Sequence, residues 1–191
     1  DVAARNIVMS GINASFNTGL FAGQFNSSGT GTSGNVKADA GSISMVGSSN
    51  PNLVTGVFGS TFGPGAGGTV EVNAQSLDMR SNAAVQNTTF GAGAGGALAV
   101  NVKDVSITGS SNPNIFTGIF TNTFGSGRGG SIQVVSDRIQ LANHAAISAA
   151  GFWTGDAGSV VVQTSSLEVS SGSSIFTNVL FGSGNAGSLS V

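Results

Sequence analysis

The chain has 191 residues, 31 of them glycine and none cysteine, with 7% charged residues and a formal net charge of −2. This near-neutral balance excludes the basic footprint of a nucleic-acid binder, and the missing cysteines exclude a disulfide framework and a thiol nucleophile. No stretch is apolar enough for a transmembrane helix, and the regular spacing of the 39% hydrophobic residues separates the chain from disordered segments.

Read in chain order, the sequence repeats itself. A Ser-Gly, Ala-Gly or Gly-Gly step recurs at Gly34, Gly68, Gly96, Gly130, Gly158 and Gly187, spaced by subtraction 34, 28, 34, 28 and 29 residues apart. A period of this size is the signature of a solenoid or propeller. The first full unit carries Val36, Ala38, Ile43, Met45, Val57 and Phe62. The next three carry Val70, Val72, Leu77, Met79, Val85 and Phe90; then Leu98, Val100, Val105, Ile107, Ile119 and Phe124; then Ile132, Val134, Ile139, Leu141, Ile147 and Phe152. The last carries Val160, Val162, Leu167, Val169, Ile175 and Phe181. Alternation with period two predicts about three short half-buried strands per unit, and the glycine, serine and asparagine clusters between them predict turns.

No two-residue hairpin signal separates the strands within a unit, so each strand is expected to pair with its copy in the next unit. The predicted fold is all-β, a parallel β-helix of about six coils of 28–34 residues, stacked about 4.8 Å apart. Phe25, Phe62, Phe90, Phe124, Phe152 and Phe181 are read as a stacked internal ladder. Opposite charges fall at equal registers in neighbouring units: Lys37 with Glu71, Lys103 with Asp137, Asp104 with Arg138, and Arg128 with Asp156. In a β-helix each pair is a vertical neighbour across two coils, which cross-strand pairing favours. Neither end carries an obvious cap, so residues 1–191 read as one solenoid domain taken from a longer repetitive chain.

The two longer units hold an extra six residues at one corner, Gly47–Asn52 and Gly109–Asn114. Insertions at one corner put loops on one face of a solenoid, often its binding face. The candidate contact residues are therefore Asn50, Pro51 and Asn52, their counterparts Asn112, Pro113 and Asn114, and Trp153, which strand alternation after Phe152 turns outward. Phe16, Phe21, Phe58, Phe116, Phe120 and Phe176 flank the same corner. Any of them that face outward make an apolar patch of the kind that marks association surfaces.

Enzyme chemistry needs convergent polar groups, and none converge here. Half of the eight carboxylates have an opposite charge one coil away. Asp78 and Glu168 share a register three units apart, on the order of 14 Å, too far for paired acid–base work. His144 is the only histidine and reads as an exposed turn residue, so no metal and no cofactor are expected. The glycine-rich turns at 63–68 and 91–96 lack the lysine and helix of a phosphate loop and read as corners needing positive φ. Thr18, Thr55, Thr117 and Thr177 suggest a threonine array of the ice-binding kind, incomplete in the middle coils.

The stretch from Ala157 to Val191, AGSVVVQTSSLEVSSGSSIFTNVLFGSGNAGSLSV, resembles the repeats of filamentous-haemagglutinin-like proteins, especially the large cyanobacterial ones exported by two-partner secretion. The resemblance covers nearly the whole chain and lies in the Ala/Gly-Gly-Ser step, the alternating strand and the Thr-Phe-Gly turn. Asn50-Pro51-Asn52-Leu53 is similar to a motif of the family's secretion domain, but its recurrence as Asn112-Pro113-Asn114-Ile115 makes it a repeat element here. The resemblance implies a right-handed β-helix, export through an outer-membrane partner transporter, and adhesion or surface structure at a bacterial cell. The expected function is thus a non-enzymatic, extracellular adhesive segment that contacts polysaccharides, cell surfaces or copies of itself, end to end or laterally. The alternative is a carbohydrate-active β-helix enzyme of the lyase or hydrolase type.

Overall fold

The structure, a computed structural model, describes residues 1–112 and 115–191. It is all-β, with no helix among the described residues. In chain order the strands are β1 (Val2–Ser10), β2 (Thr18–Gln24), β3 (Val36–Val46), β4 (Thr55–Thr61), β5 (Thr69–Arg80), β6 (Ala83–Thr89) and β7 (Ala97–Thr108), followed by β8 (Thr117–Thr123), β9 (Ser131–Ala142), β10 (Ala145–Gly151), β11 (Ser159–Val169), β12 (Ser174–Val179) and β13 (Leu189–Ser190). They form two parallel sheets: the odd strands lie side by side in chain order in a seven-stranded sheet, and the even strands do so in a six-stranded one. Each strand therefore pairs with the strand two places on, the connectivity of a parallel β-solenoid.

The registers follow the repeat spacing. Met45 pairs with Met79, Met79 with Ile107 and Ile107 with Leu141 in the odd sheet. Val57, Val85, Ile119 and Ile147 form the matching column in the even sheet. These columns are almost wholly buried and belong to one core running between the sheets. Truncating a central member such as Met79 to alanine is expected to cost about 2–5 kcal/mol, the usual range for a buried large-to-small change.

Each coil holds two strands rather than three, because the first two predicted strands are continuous. They nevertheless meet at a bend. In β5 the inward positions switch from Val70 and Val72 to Leu77 and Met79, from even to odd numbers, and Gln75 is skipped in the pairing with both β3 and β7. A strand that changes its inward parity must turn there. Hydroxyls at the bend stand within hydrogen-bond reach of two backbone carbonyls each and share one proton between them: Ser136 Oγ with Lys103 O and Arg138 O, and Thr164 Oγ1 with Asp137 O and Ser166 O.

The glycine-rich corner needs glycine for a different reason from the one predicted. Among the described residues the positive-φ glycines are Gly56, Gly118 and Gly172, none of them at this corner. Gly68 instead lies directly over the carbonyl of Gly34, Gly96 over Gly68, Gly130 over Gly96, Gly158 over Gly130 and Gly187 over Gly158, so a Cβ at any of these five would strike the preceding coil. Close backbone approach, not turn geometry, excludes a side chain. Polar side chains from the even strands brace this column: Asn87 Nδ2 donates to Gly68 O, Thr121 Oγ1 to Gly130 O and Thr177 Oγ1 to Gly187 O.

The phenylalanine column lies outside the core, correcting the internal placement. Ring centroids of Phe62 and Phe90 are 4.5 Å apart, those of Phe90 and Phe124 5.1 Å, and those of Phe124 and Phe152 4.2 Å, all near-parallel. Phe62 and Phe90 remain 39% and 42% exposed, and no ring of this column belongs to the core cluster between the sheets. Phe181, at 88% exposure, makes no ring contact with Phe152 among the described residues. The stack shields the rim of the sheets, and each ring pair adds about 0.5–1.5 kcal/mol beyond its buried area.

Candidate functional site

The six extra residues sit at the corner between the sheets, where 47–54 connect β3 to β4 while 81–82 alone connect β5 to β6. Asn50, Pro51 and Asn52 are exposed there. The loop is nonetheless ordered by its own polar side chains: Ser48 Oγ accepts from Asn50 N, and Asn50 Oδ1 from Asn52 N, the local turn chemistry that asparagine and serine favour. Asn82, buried in the next coil at φ 72°, donates from Nδ2 to Asn50 O and Leu53 O. In the second insertion Asn112 is exposed and its N–H donates to Ser110 Oγ, as in the first. Pro113 and Asn114 lie outside the described residues.

The insertions accompany one other feature. Along the outer face of the even sheet, one register reads Phe21, Phe58, Gln86, Phe120, Ser148 and Phe176. Phe58 and Phe120 stand in the two coils with the insertion, and each is only 7% exposed although it faces away from the core. Small residues make room for both rings: a Cβ on Gly19 would meet Phe58, and one on Gly118 would meet Phe120. Ile115, directly after the second insertion, is buried too without joining the main core.

Beside Phe58 the surface opens into a cleft of about 400 Å³ lined by Phe16, Asn17, Phe21, Phe25, Val54, Phe58, Ser60 and Gln86. It runs from the insertion corner, marked by Val54, to the start of the ring stack at Phe25. Phe16 and Phe21 are 82% and 67% exposed, and the Phe21 ring stands nearly perpendicular to that of Phe25, at 82° and 6.2 Å between centroids. Asn17 Oδ1 accepts from Val54 N, which leaves its amide nitrogen for other partners, and no charged residue lines the cleft. The flanking phenylalanines were legible as a patch; Asn17, Ser60 and Gln86 were not. The signal for Gln86 is its place in the phenylalanine register.

Trp153 is exposed in the turn after β10, two coils beyond the β6 edge of this cleft. A second depression, about 270 Å³, lies over the glycine corner with Arg128, Ser131, Ser159 and Ser188 among its lining. The Gly129 and Ala157 N–H groups at its floor already donate to Asp156 O and Asn185 O.

Of the four expected charge pairs, two are register partners in the sheet, and among the described residues only Lys37 and Glu71 close as an ion pair, beside an unexpected one between Arg80 and Asp78 at 2.9 Å. Lys37 and Glu71 meet at 3.4 Å, and Lys37 also reaches Asp39 at 3.5 Å; Asp39 first and Glu71 second raise its ammonium above the ordinary lysine value. Asp104 and Arg138 are register partners without an ion pair, and Lys103 and Asp137 fall at the bend where pairing lapses. Asp156 accepts from the backbone and side chain of Asn185, which lower its pKa, with Arg128 a weaker contributor. Asp78 and Glu168 do share one register, separated by Ser106 and Gln140. Among the described residues no three His, Cys, Asp or Glu side chains gather as a metal site, and no helix is long and apolar enough to cross a membrane. His144 is exposed at φ 64°. Thr55 and Thr117 are buried in the core-facing row, and Thr177 lies in another register, so these threonines form no surface array. No protein-family model, curated protein or solved structure matches the chain.

Proposed function

We propose that this chain is a non-enzymatic, extracellular β-helix segment of a filamentous protein, secreted or held at a bacterial cell surface, that acts through contacts along its sides. In this reading the helix is right-handed with about six coils, and the parent chain is a filamentous-haemagglutinin-like exoprotein exported through an outer-membrane partner transporter. Weak contacts repeated along such a protein add by avidity, without a deep pocket at any one coil.

The observation that carries the reading is the exposed aromatic cleft at the insertion corner, a concave surface with neutral polar groups and no paired carboxylates. Such clefts serve binding, whereas acid–base chemistry needs titratable groups within reach of one another. The test is retention of the soluble chain on immobilised bacterial and algal polysaccharides and on whole bacterial cells. Retention supports an adhesive segment. No retention on any surface, together with no self-association, would reduce the chain to a passive spacer.

A further inference from the structure

The geometry points to the cleft beside Phe58 as a binding site for an uncharged sugar ring. The inference rests on the reading of the chain as a surface-contact segment and gives that surface a ligand class. Three properties select the ligand. First, the aromatic walls meet at a corner: Phe21 and Phe25 stand at 82° to each other. A flat apolar ligand face packs against one wall while its edge meets the other, and aromatic rings accept C–H edges on their negative faces. Phe90 and Phe124 cannot do this, because each spends both faces on neighbouring rings.

Second, the polar lining is neutral and mixed. Asn17 and Gln86 present amides and Ser60 a hydroxyl, with no charge among the lining residues. Hydroxyl groups both donate and accept, and amides complement both roles. An acidic sugar would place its carboxylate or sulfate in a cleft without a cation, a desolvation cost with nothing to offset it. Third, the size fits: about 400 Å³ lies within the range of small-molecule sites, about 300–1,000 Å³. The carrying residues come from three successive even strands, β2, β4 and β6, with Phe21, Phe58 and Gln86 in one register. That strip of the wall is fixed by sheet pairing, while Phe16, Asn17, Phe25 and Val54 reach the cleft from the segments that flank the strands.

The experiment is calorimetric titration of the chain with neutral cello-, xylo- and galacto-oligosaccharides, with oligo-alginate as the acidic comparison. Phe21→Ala is the test variant; its side chain is exposed, so the fold should survive, and a circular-dichroism melt checks this. Phe116→Ala, exposed in another coil and outside the cleft, is the control. The expected result is binding of at least one neutral series, at least tenfold weaker in Phe21→Ala, unchanged in Phe116→Ala and insensitive to salt. Glycan binding that ignores Phe21, or that is confined to alginate and collapses with salt, overturns this site while leaving the adhesive reading standing. If Phe21→Ala abolishes only self-association in sedimentation velocity, the cleft joins copies of the chain and the sugar assignment fails. No binding of any glycan, with no retention on cells, removes both.

Discussion

The side-chain nitrogen of Asn82 lies 2.6 Å from the carbonyl oxygen of Leu53, holding the end of the first insertion from the coil that follows it. The same nitrogen reaches Asn50 O at 3.0 Å. One buried carboxamide thus fixes both ends of the exposed Asn50-Pro51-Asn52 segment. Asn82→Gly keeps the backbone's φ of 72° available and removes both bonds, an expected loss of about 1–3 kcal/mol. Asn82→Ala should lose about 1–2 kcal/mol more, because a Cβ is disfavoured in the left-handed region. Urea denaturation measures the two losses; faster amide exchange at Leu53, whose N–H donates to Asn50 O, would confirm that the loop is what loosens. Equal stability of Asn82→Gly and the parent chain would show the clamp to be energetically idle.

The ring stack makes a second expectation. Phe90 is stacked on both sides, on Phe62 and Phe124, whereas Phe181 continues the sequence pattern without continuing the stack. Phe90→Ala should destabilise by about 2–4 kcal/mol, from two ring pairs and half-burial of the side chain. Phe181→Ala should stay within about 0.5 kcal/mol. Phe181→Gly should be neutral or stabilising, since Phe181 holds φ 64° at a cost glycine does not carry. Thermal melts of the three variants check the order, and a loss at Phe181 equal to that at Phe90 would contradict it.

A pH dependence follows from Asp156, whose carboxylate is held below the usual range by the Asn185 backbone N–H, then the Asn185 side chain, then Arg128. Its folded pKa is lower than its unfolded one. The stabilisation is therefore complete above the ordinary carboxylate pKa and is lost as the pH falls through the folded value. Asp156→Asn keeps an oxygen to accept from Asn185 and removes the titration. The expected outcome is a flatter melting temperature against pH on the acid side in Asp156→Asn than in the parent chain. Superimposable profiles would remove Asp156 from the acid response.

The coil and its registers were legible because a stacked β-structure forces equal residue types into equal columns. Met45 over Met79, and Val57 over Val85, follow directly from spacing. So does Lys37 beside Glu71, although alignment alone did not bring the other three charge pairs into contact. The facing of the phenylalanines was misread, and the signal was present: Val57 points inward, and Phe62 lies five residues on, an odd offset that places it on the opposite face. The bend inside the odd strands was hidden because a parity switch looks like a gap between two strands. The cleft was legible only in part, because Phe16, Asn17 and Val54 converge from segments that no repeat aligns with the strand positions of Phe21, Phe58 and Gln86.

Every ladder in both sheets joins a coil only to the coils above and below it. That arrangement decides how the molecule yields to mechanical load. A force on one end of the chain acts on the terminal coil's edge and opens its hydrogen bonds in succession, while inner coils keep both neighbours. Extension should then proceed coil by coil, each release paying out about 100 Å of chain for a repeat of this length. Nearest-neighbour stabilisation makes every release nearly equal. A stack built this way dissipates a pull in many small steps, and the coils still folded are the template on which released coils re-form.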